Sequence, residues 1–250
     1  MFLMLPTLVT LTVYFAAAVV PAIFLMRYIY RMDRVEKEPI GLLTSLLLLG
    51  VAAALLSMVP EYLGELLLPF FVAQDSVAYH ILLAFLVVGA AEEGAKFLLL
   101  RRRTWNDGNF DHRFDGVVYA AFLSLGFAAF ENLKYVAGYG LGVALPRAFL
   151  AIPGHLAFSV YMGAFYGRAK YCEVSGDRNG CRRNLWYAYL SAVLLHGFYD
   201  ACAMIGNLLS MTVFVLFVIV MYLLVIRKVK REAAGDHPFY PSGPWGGWNF

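Results

Sequence analysis

Seven apolar runs recur along this chain, each close to the ~20 residues that a helix needs to cross a bilayer. They are Leu8–Met26, Ile40–Val59, Ile81–Leu100, Val117–Tyr135, Leu145–Tyr166, Leu185–Ile205 and Leu208–Ile226. In hydrocarbon a segment has to satisfy its own backbone donors and acceptors, which leaves helices or a closed barrel. The short alternating strands of a barrel are absent. Composition agrees, with 61% hydrophobic and 15% charged residues, where a soluble domain is about half apolar and a quarter charged. The expected fold is all-α: a polytopic membrane helix bundle of about seven transmembrane helices.

Positive charge sets the expected orientation. Arg27 to Lys37, Arg101 to Arg113, Arg168 to Arg183 and Arg227 to Arg231 fall on alternate connections and on the tail. Of the 20 basic residues, only Lys96, Lys134 and Arg147 lie elsewhere. The amino terminus is therefore expected outside and the carboxyl terminus in the cytoplasm, in a cell (plasma) membrane. The basic loops read as topology signals rather than as a nucleic-acid surface. The first run lacks a basic leading region and reads as a retained reverse anchor, kinked at Pro21. The external loop Glu61 to Asp75 carries Leu66 to Phe71, suited to the membrane interface. Residues 1–230 read as one transmembrane domain and 231–250 as an irregular cytoplasmic tail, with Trp245 and Trp248 resting on headgroups. Cys172, Cys181 and Cys202 show no ligand spacing and read as reduced thiols.

Polar residues at membrane depth carry the functional signal. Glu92, Glu93 and Lys96 interrupt the third run, where each charge near a helix centre costs about 2.5–3.5 kcal/mol on insertion scales. The fourth run holds Glu131, the fifth His155, and the sixth His196 and Asp200. At about 1.5 Å rise per residue, Glu92, His155 and His196 share mid-membrane depth, with Glu131 and Asp200 further out. Glu92 and Lys96 lie four apart and can pair. Glu93 points about 100° away, so the two acids are not expected to face one narrow point. His196 and Asp200 also share a face. A lone buried histidine is more often a packing residue than a ligand, and Glu131 with Lys134 and Tyr135 fits an interfacial cluster equally well. His80, His112 and His237 read as solvated. Two adjacent acids at mid-span, by contrast, have little structural excuse.

Amide hydrolysis needs a base for water, help for the oxyanion and an acid for the leaving amine. A carboxylate in low dielectric can serve as base and then acid, and a His/Asp/Glu cluster can hold a divalent ion that polarises the carbonyl. Glu92 or Glu93 would be the base, with Lys96 tuning the acids. Glu131, His155, His196 and Asp200 would be metal ligands or polarising groups. HExxH is absent. The alternative class is a proton- or ion-coupled transporter, since relays use the same residue types, although no inverted repeat is visible.

Taken in order, Tyr30-Arg31-Met32-Asp33 through Glu38-Pro39, EExxK at Glu92 to Lys96, FxxxE at Phe127 to Glu131, HxxF at His155 to Phe158 and HGxxD at His196 to Asp200 resemble the PrsW family of intramembrane proteases. The resemblance spans the first loop to the sixth run. It implies a protease that cuts a membrane-anchored protein near its extracytoplasmic end, as in site-1 cleavage of an anti-sigma factor. The wider group holds CAAX-processing proteases, in which a glutamate activates water and both metal-dependent and metal-free mechanisms have been considered. The histidines and acids here favour a metal, with Zn2+ the expected ion.

Overall fold

The computed structural model describes residues 4–239. Its helices are α1 (Met4–Met32), α2 (Ile40–Leu67), α3 (Val77–Leu82), α4 (Ala90–Thr104), α5 (Asp115–Tyr139), α6 (Ala144–Phe149), α7 (Ala151–Val174), α8 (Arg178–Ile205) and α9 (Leu208–Ala234). A π-helical stretch, Leu83–Gly89, joins α3 to α4 without a break. Six segments are long and apolar enough to cross a membrane, with α6 and α7 falling in one of them. The third expected run is also helical, from Val77 to Thr104, but α4 alone carries Glu92, Glu93, Lys96 and Arg101 to Arg103. Large apolar side chains such as Phe24, Leu48 and Leu216 are exposed on the long helices, as lipid-facing surfaces require. The chain is a polytopic helical membrane protein.

Helix α5 is the axis of the bundle, packed against α1, α2 and α7. It is the most enclosed of the spans, 78% buried against 61% for the next. Its crossing with α2 depends on missing side chains, because a Cβ on Gly50 would stand 2.6 Å from the backbone nitrogen of Phe127. Helix α7 packs on α5 and α8, and the continuous helix of α3, the π-helical stretch and α4 packs between α2 and α8. The turn from α8 to α9 is short because each end is capped. Gly206 adopts φ +65 after α8, and the Asn207 side chain accepts the Ser210 N–H at the start of α9, both favoured terminators.

Two boundaries differ from expectation. Helix α2 does not stop at Val59. It runs through Pro60 to Leu67, so Glu61 and Glu65 are helical. The expected external loop shrinks to a 3-10 turn, Leu68–Phe70, and a short connection up to Ser76, which caps α3. A membrane helix tolerates proline when neighbours satisfy the freed groups. The fifth run, expected as a single helix, breaks at Leu150 between α6 and α7. Pro153 offers no N–H to the Phe149 carbonyl, and the Tyr222 hydroxyl donates to the carbonyls of Phe149 and Leu150 at 2.9 Å each.

At the basic end of the bundle, Glu232 of α9 gathers Lys228, Arg113 and Arg168 at 2.8, 2.9 and 3.1 Å. Tyr119 of α5 donates to Glu38 at 2.8 Å. Glu38 and Asp33 are buried, so the motif after the first helix anchors this end. His112, expected to be solvated, is buried and lies 2.7 Å from Asp111, because its loop is covered where Phe239 donates its N–H to the Asp111 carbonyl. Trp245 and Trp248 lie outside the described residues.

Candidate active site

The π-helical stretch delivers the two acids. Its extra residue per turn is visible in the Ala90 N–H, which reaches the Phe85 carbonyl five residues back. Such stretches are rare and are often found at functional sites. Helix α8 lies directly against it. A Cβ on Gly197 would meet the Phe85 ring at 2.5 Å and the Phe85 Cα at 2.9 Å. This close approach sets His196 beside Glu93.

Lys96 occupies the centre. Its ammonium donates to Glu93 Oε1 at 2.8 Å and to Glu92 Oε2 at 3.3 Å, and lies 3.1 Å from His155 Nδ1. It also stands 3.7 Å from the centroid of the Phe127 ring, a favourable seat for a desolvated cation. The two acids therefore do face one point, contrary to expectation. Lys96 is four residues from Glu92 and three from Glu93, both of which are neighbour spacings on a helix, so their side-chain arms close the angle between their Cα–Cβ directions.

Each imidazole is held from behind. His155 presents Nδ1 to the centre, and its Nε2 lies 2.9 Å from Glu131. The Ser124 hydroxyl donates to the His155 carbonyl at 3.0 Å, linking α5 to α7. His196 presents Nδ1 to Glu93 at 2.9 Å and to Glu92 at 3.9 Å, while its Nε2 lies 3.2 Å from Asp200. Phe158 stacks on the His196 ring at 4.9 Å and 19°. Glu131 and Asp200 thus orient the rings from outside the centre, the arrangement by which a carboxylate fixes an imidazole's tautomer.

One cavity of about 600 Å³ is lined by Glu92, Glu131, His155, His196 and Asp200. It opens toward the end of the bundle opposite the arginine-rich loops, where Glu61, Glu65 and Met211 also line it. Glu93 is fully buried behind it. Arg147, not expected here from the sequence, pairs with Glu131 at 2.8 Å and donates to Asn132 at 3.1 Å.

A multi-span membrane protein with an acid and imidazole centre buried among its helices is the class that fold and site define together. A family model for the PrsW family of intramembrane metalloproteases matches residues 38–226. Proteases named PrsW are similar along most of the chain. The Clostridioides difficile (strain 630) protein is 32% identical over 221 residues, covering 87% of this chain and 90% of its own. That of Geobacillus kaustophilus is 32% identical over 223 residues, with coverage of 89% and 93%. That of Bacillus subtilis (strain 168) is 30% identical over 220 residues, with coverage of 86% and 94%. No solved structure matches. The chain belongs to the PrsW family and is an intramembrane protease, which disfavours the transport reading.

The family description implies a metal ion, and the residues present fit one. Glu92, Glu93, His155 and His196 each offer a donor atom, all within 4.8 Å of one another. Glu93 Oε2 is buried without a hydrogen-bond partner. Mixed imidazole and carboxylate donors suit zinc and its neighbours.

Proposed function

We propose that this protein hydrolyses a peptide bond in a membrane-anchored protein, in the manner of site-1 cleavage of an anti-sigma factor, with Glu92 activating the attacking water. The observation that carries this reading is the cavity shared by Glu92, His155 and His196. Glu92 faces that space through one long bond to Lys96, whereas Glu93 sits behind it with Oε1 engaged by both Lys96 and His196. Glu93 is thus the anchoring acid and Glu92 the acid free to take and return a proton, as a single carboxylate can in base-then-acid catalysis.

His155 and His196, oriented by Glu131 and Asp200, face the position where the scissile carbonyl would develop negative charge. Glu93, His155 and His196 would hold a zinc ion, leaving Glu92 free as the base and one position open for water. When bound, the ion would supply Lewis-acid polarisation and a more acidic water. Lys96 keeps the two carboxylates convergent and offsets their mutual repulsion. The orientation that fits is the amino terminus outside and the carboxyl terminus in the cytoplasm of the plasma membrane. The transmembrane domain would span 1–230 and the cytoplasmic tail 231–250. In this orientation the cavity mouth faces outward, where an extracytoplasmic cut would be made.

The test is cleavage of a co-expressed single-pass substrate by full-length protein carrying Glu92→Gln or Glu93→Gln. Both variants should reach the membrane folded, and Glu92→Gln should abolish cleavage. Full cleavage by Glu92→Gln overturns the assignment of the base. Full cleavage by both variants overturns the site.

A further inference from the structure

A second cavity of about 1080 Å³ opens between α4 and α8, at the end of the bundle away from the candidate active site. Its lining changes character along its length. Arg101, Arg178 and Arg182 stand at one end, Phe97, Leu98, Leu185 and Trp186 form the walls, and Gly94 with Tyr189 lies deepest. Helix rise puts Arg101 ~10 Å from Gly94 and Arg178 ~16 Å from Tyr189 along the axes. The occupant this shape admits has a compact anionic head and a slender apolar body.

Among the described residues, no carboxylate pairs with these arginines. Ion pairs of arginine among the described residues involve Arg103, Arg113, Arg147, Arg168 and Arg231, none of which lines this cleft. Arg101 rests over the Trp105 ring at 5.6 Å. The one carboxylate at the rim, Glu173, already accepts from Trp105 Nε1 at 2.9 Å and Lys170 at 2.7 Å. Guanidinium groups bind phosphate through paired donors, and basic pockets between membrane helices collect anionic headgroups. An extended peptide segment in the same cleft would bring backbone donors and acceptors that need partners away from water. The apolar walls offer none, whereas an acyl chain needs none.

We propose that an anionic phospholipid occupies the α4–α8 cleft, its phosphate on Arg101, Arg178 and Arg182 and an acyl chain along Leu98, Leu185 and Trp186. The chain end packs on Tyr189, whose hydroxyl donates to the Ala90 carbonyl at 3.1 Å. Ala90 begins α4 two residues before Glu92, so the lipid braces the helix pair from which Glu92 and His196 project. The site is independent of the protease reading, because none of its residues faces the acid and imidazole cavity.

Full-length protein purified in detergent and titrated with phosphatidylglycerol or phosphatidylcholine, with bound lipid read by native mass spectrometry, tests this. Phosphatidylglycerol should be retained preferentially, as a single bound molecule. The double variant Arg178→Gln/Arg182→Gln should bind it roughly thirtyfold more weakly, and Arg178→Lys/Arg182→Lys should keep most of the affinity. Leu185→Trp, with every arginine present, should lose the lipid by filling the cleft, which covers the case in which the charge variant fails to fold. Equal retention of the two lipids, unchanged binding in both the glutamine and tryptophan variants, or a photo-crosslinker at Leu98 that labels protein rather than lipid would overturn the proposal.

Discussion

His196 bridges two acids of different duty: its Nδ1 lies 2.9 Å from Glu93 Oε1 and its Nε2 lies 3.2 Å from Asp200 Oδ2. The ring is thereby held in rotation from both sides, with a carboxylate acceptor at each nitrogen. Asp200→Asn keeps the shape but replaces an acceptor-only carboxylate with a neutral amide that can turn its NH2 toward the ring. Cleavage should fall about 10- to 100-fold while the unfolding midpoint in detergent stays near wild type. Glu131→Gln should behave similarly through His155. Wild-type cleavage in both variants would separate these carboxylates from the imidazoles' function.

Removing Lys96 should damage the fold itself. Lys96→Met leaves Glu92 and Glu93 buried side by side with their central ammonium gone, and breaking a buried pair in this way costs about 3–5 kcal/mol. The variant should be poorly recovered from membranes, with a much lower thermal midpoint. Adding Glu93→Gln to Lys96→Met should restore part of that midpoint, though not cleavage.

Gly197 should not tolerate a methyl group. Gly197→Ala would press on Phe85 at 2.5 Å and push α8 off the π-helical stretch, a strain of about 1–3 kcal/mol. Cleavage should fall because His196 moves with its helix. Gly154→Ala is the control, since its Cβ would meet Phe158 at an ordinary 3.5 Å, and it should stay active.

Burial raises the Glu38 carboxyl to about 7, against a hydrogen bond from Tyr119 that lowers it, and raises that of Asp33 to about 6. An acid with a raised folded-state pKa contributes fully below its unfolded value, here 4.5 for Glu38 and 3.8 for Asp33. That contribution is lost as pH climbs through the folded value. The thermal midpoint of the solubilised protein should therefore decline between pH 4.5 and 7. Glu38→Gln should flatten that decline, and an unchanged slope in this variant would remove Glu38 as its source.

If Glu93, His155 and His196 hold zinc, purified wild-type protein should carry it in stoichiometric amount by elemental analysis. His155→Ala and His196→Ala should each lose it, together with cleavage. Active wild-type protein without stoichiometric metal would leave the hydrolysis to Glu92 and the imidazoles alone.

Much of the site is legible in the sequence because hydrocarbon makes charge conspicuous. Glu92, Glu93, His155 and His196 stand out at a shared depth, and they do meet. Arg147 is less obvious, although it carries a signal. Lys96, Lys134 and Arg147 are the basic residues that break the charge asymmetry, and Lys134 and Arg147 line the cavity while Lys96 is buried behind it, bonded to Glu92. Glu61 and Glu65 read as loop residues because Pro60 looks like a helix end, yet the apolar neighbours Leu63, Leu66 and Leu67 continue the helix. The convergence of Glu92 and Glu93 is hidden for another reason. Angles read from an ideal helix describe where side chains start, not where long arms finish.

The unusual coil between α3 and α4 implies a rule for lineages of this protein. Seven residues, Leu83–Gly89, wind more loosely than the helix on either side, so α4 is aimed by a phase offset rather than by chemistry. Dropping one residue there would give a smoother rod of greasy letters and would swing Glu92 and Glu93 about 100° around it. The length of this stretch is therefore fixed by the aim of α4, and Gly89, whose Cβ would stand 2.8 Å from the Ala84 carbonyl oxygen, is fixed in kind as well.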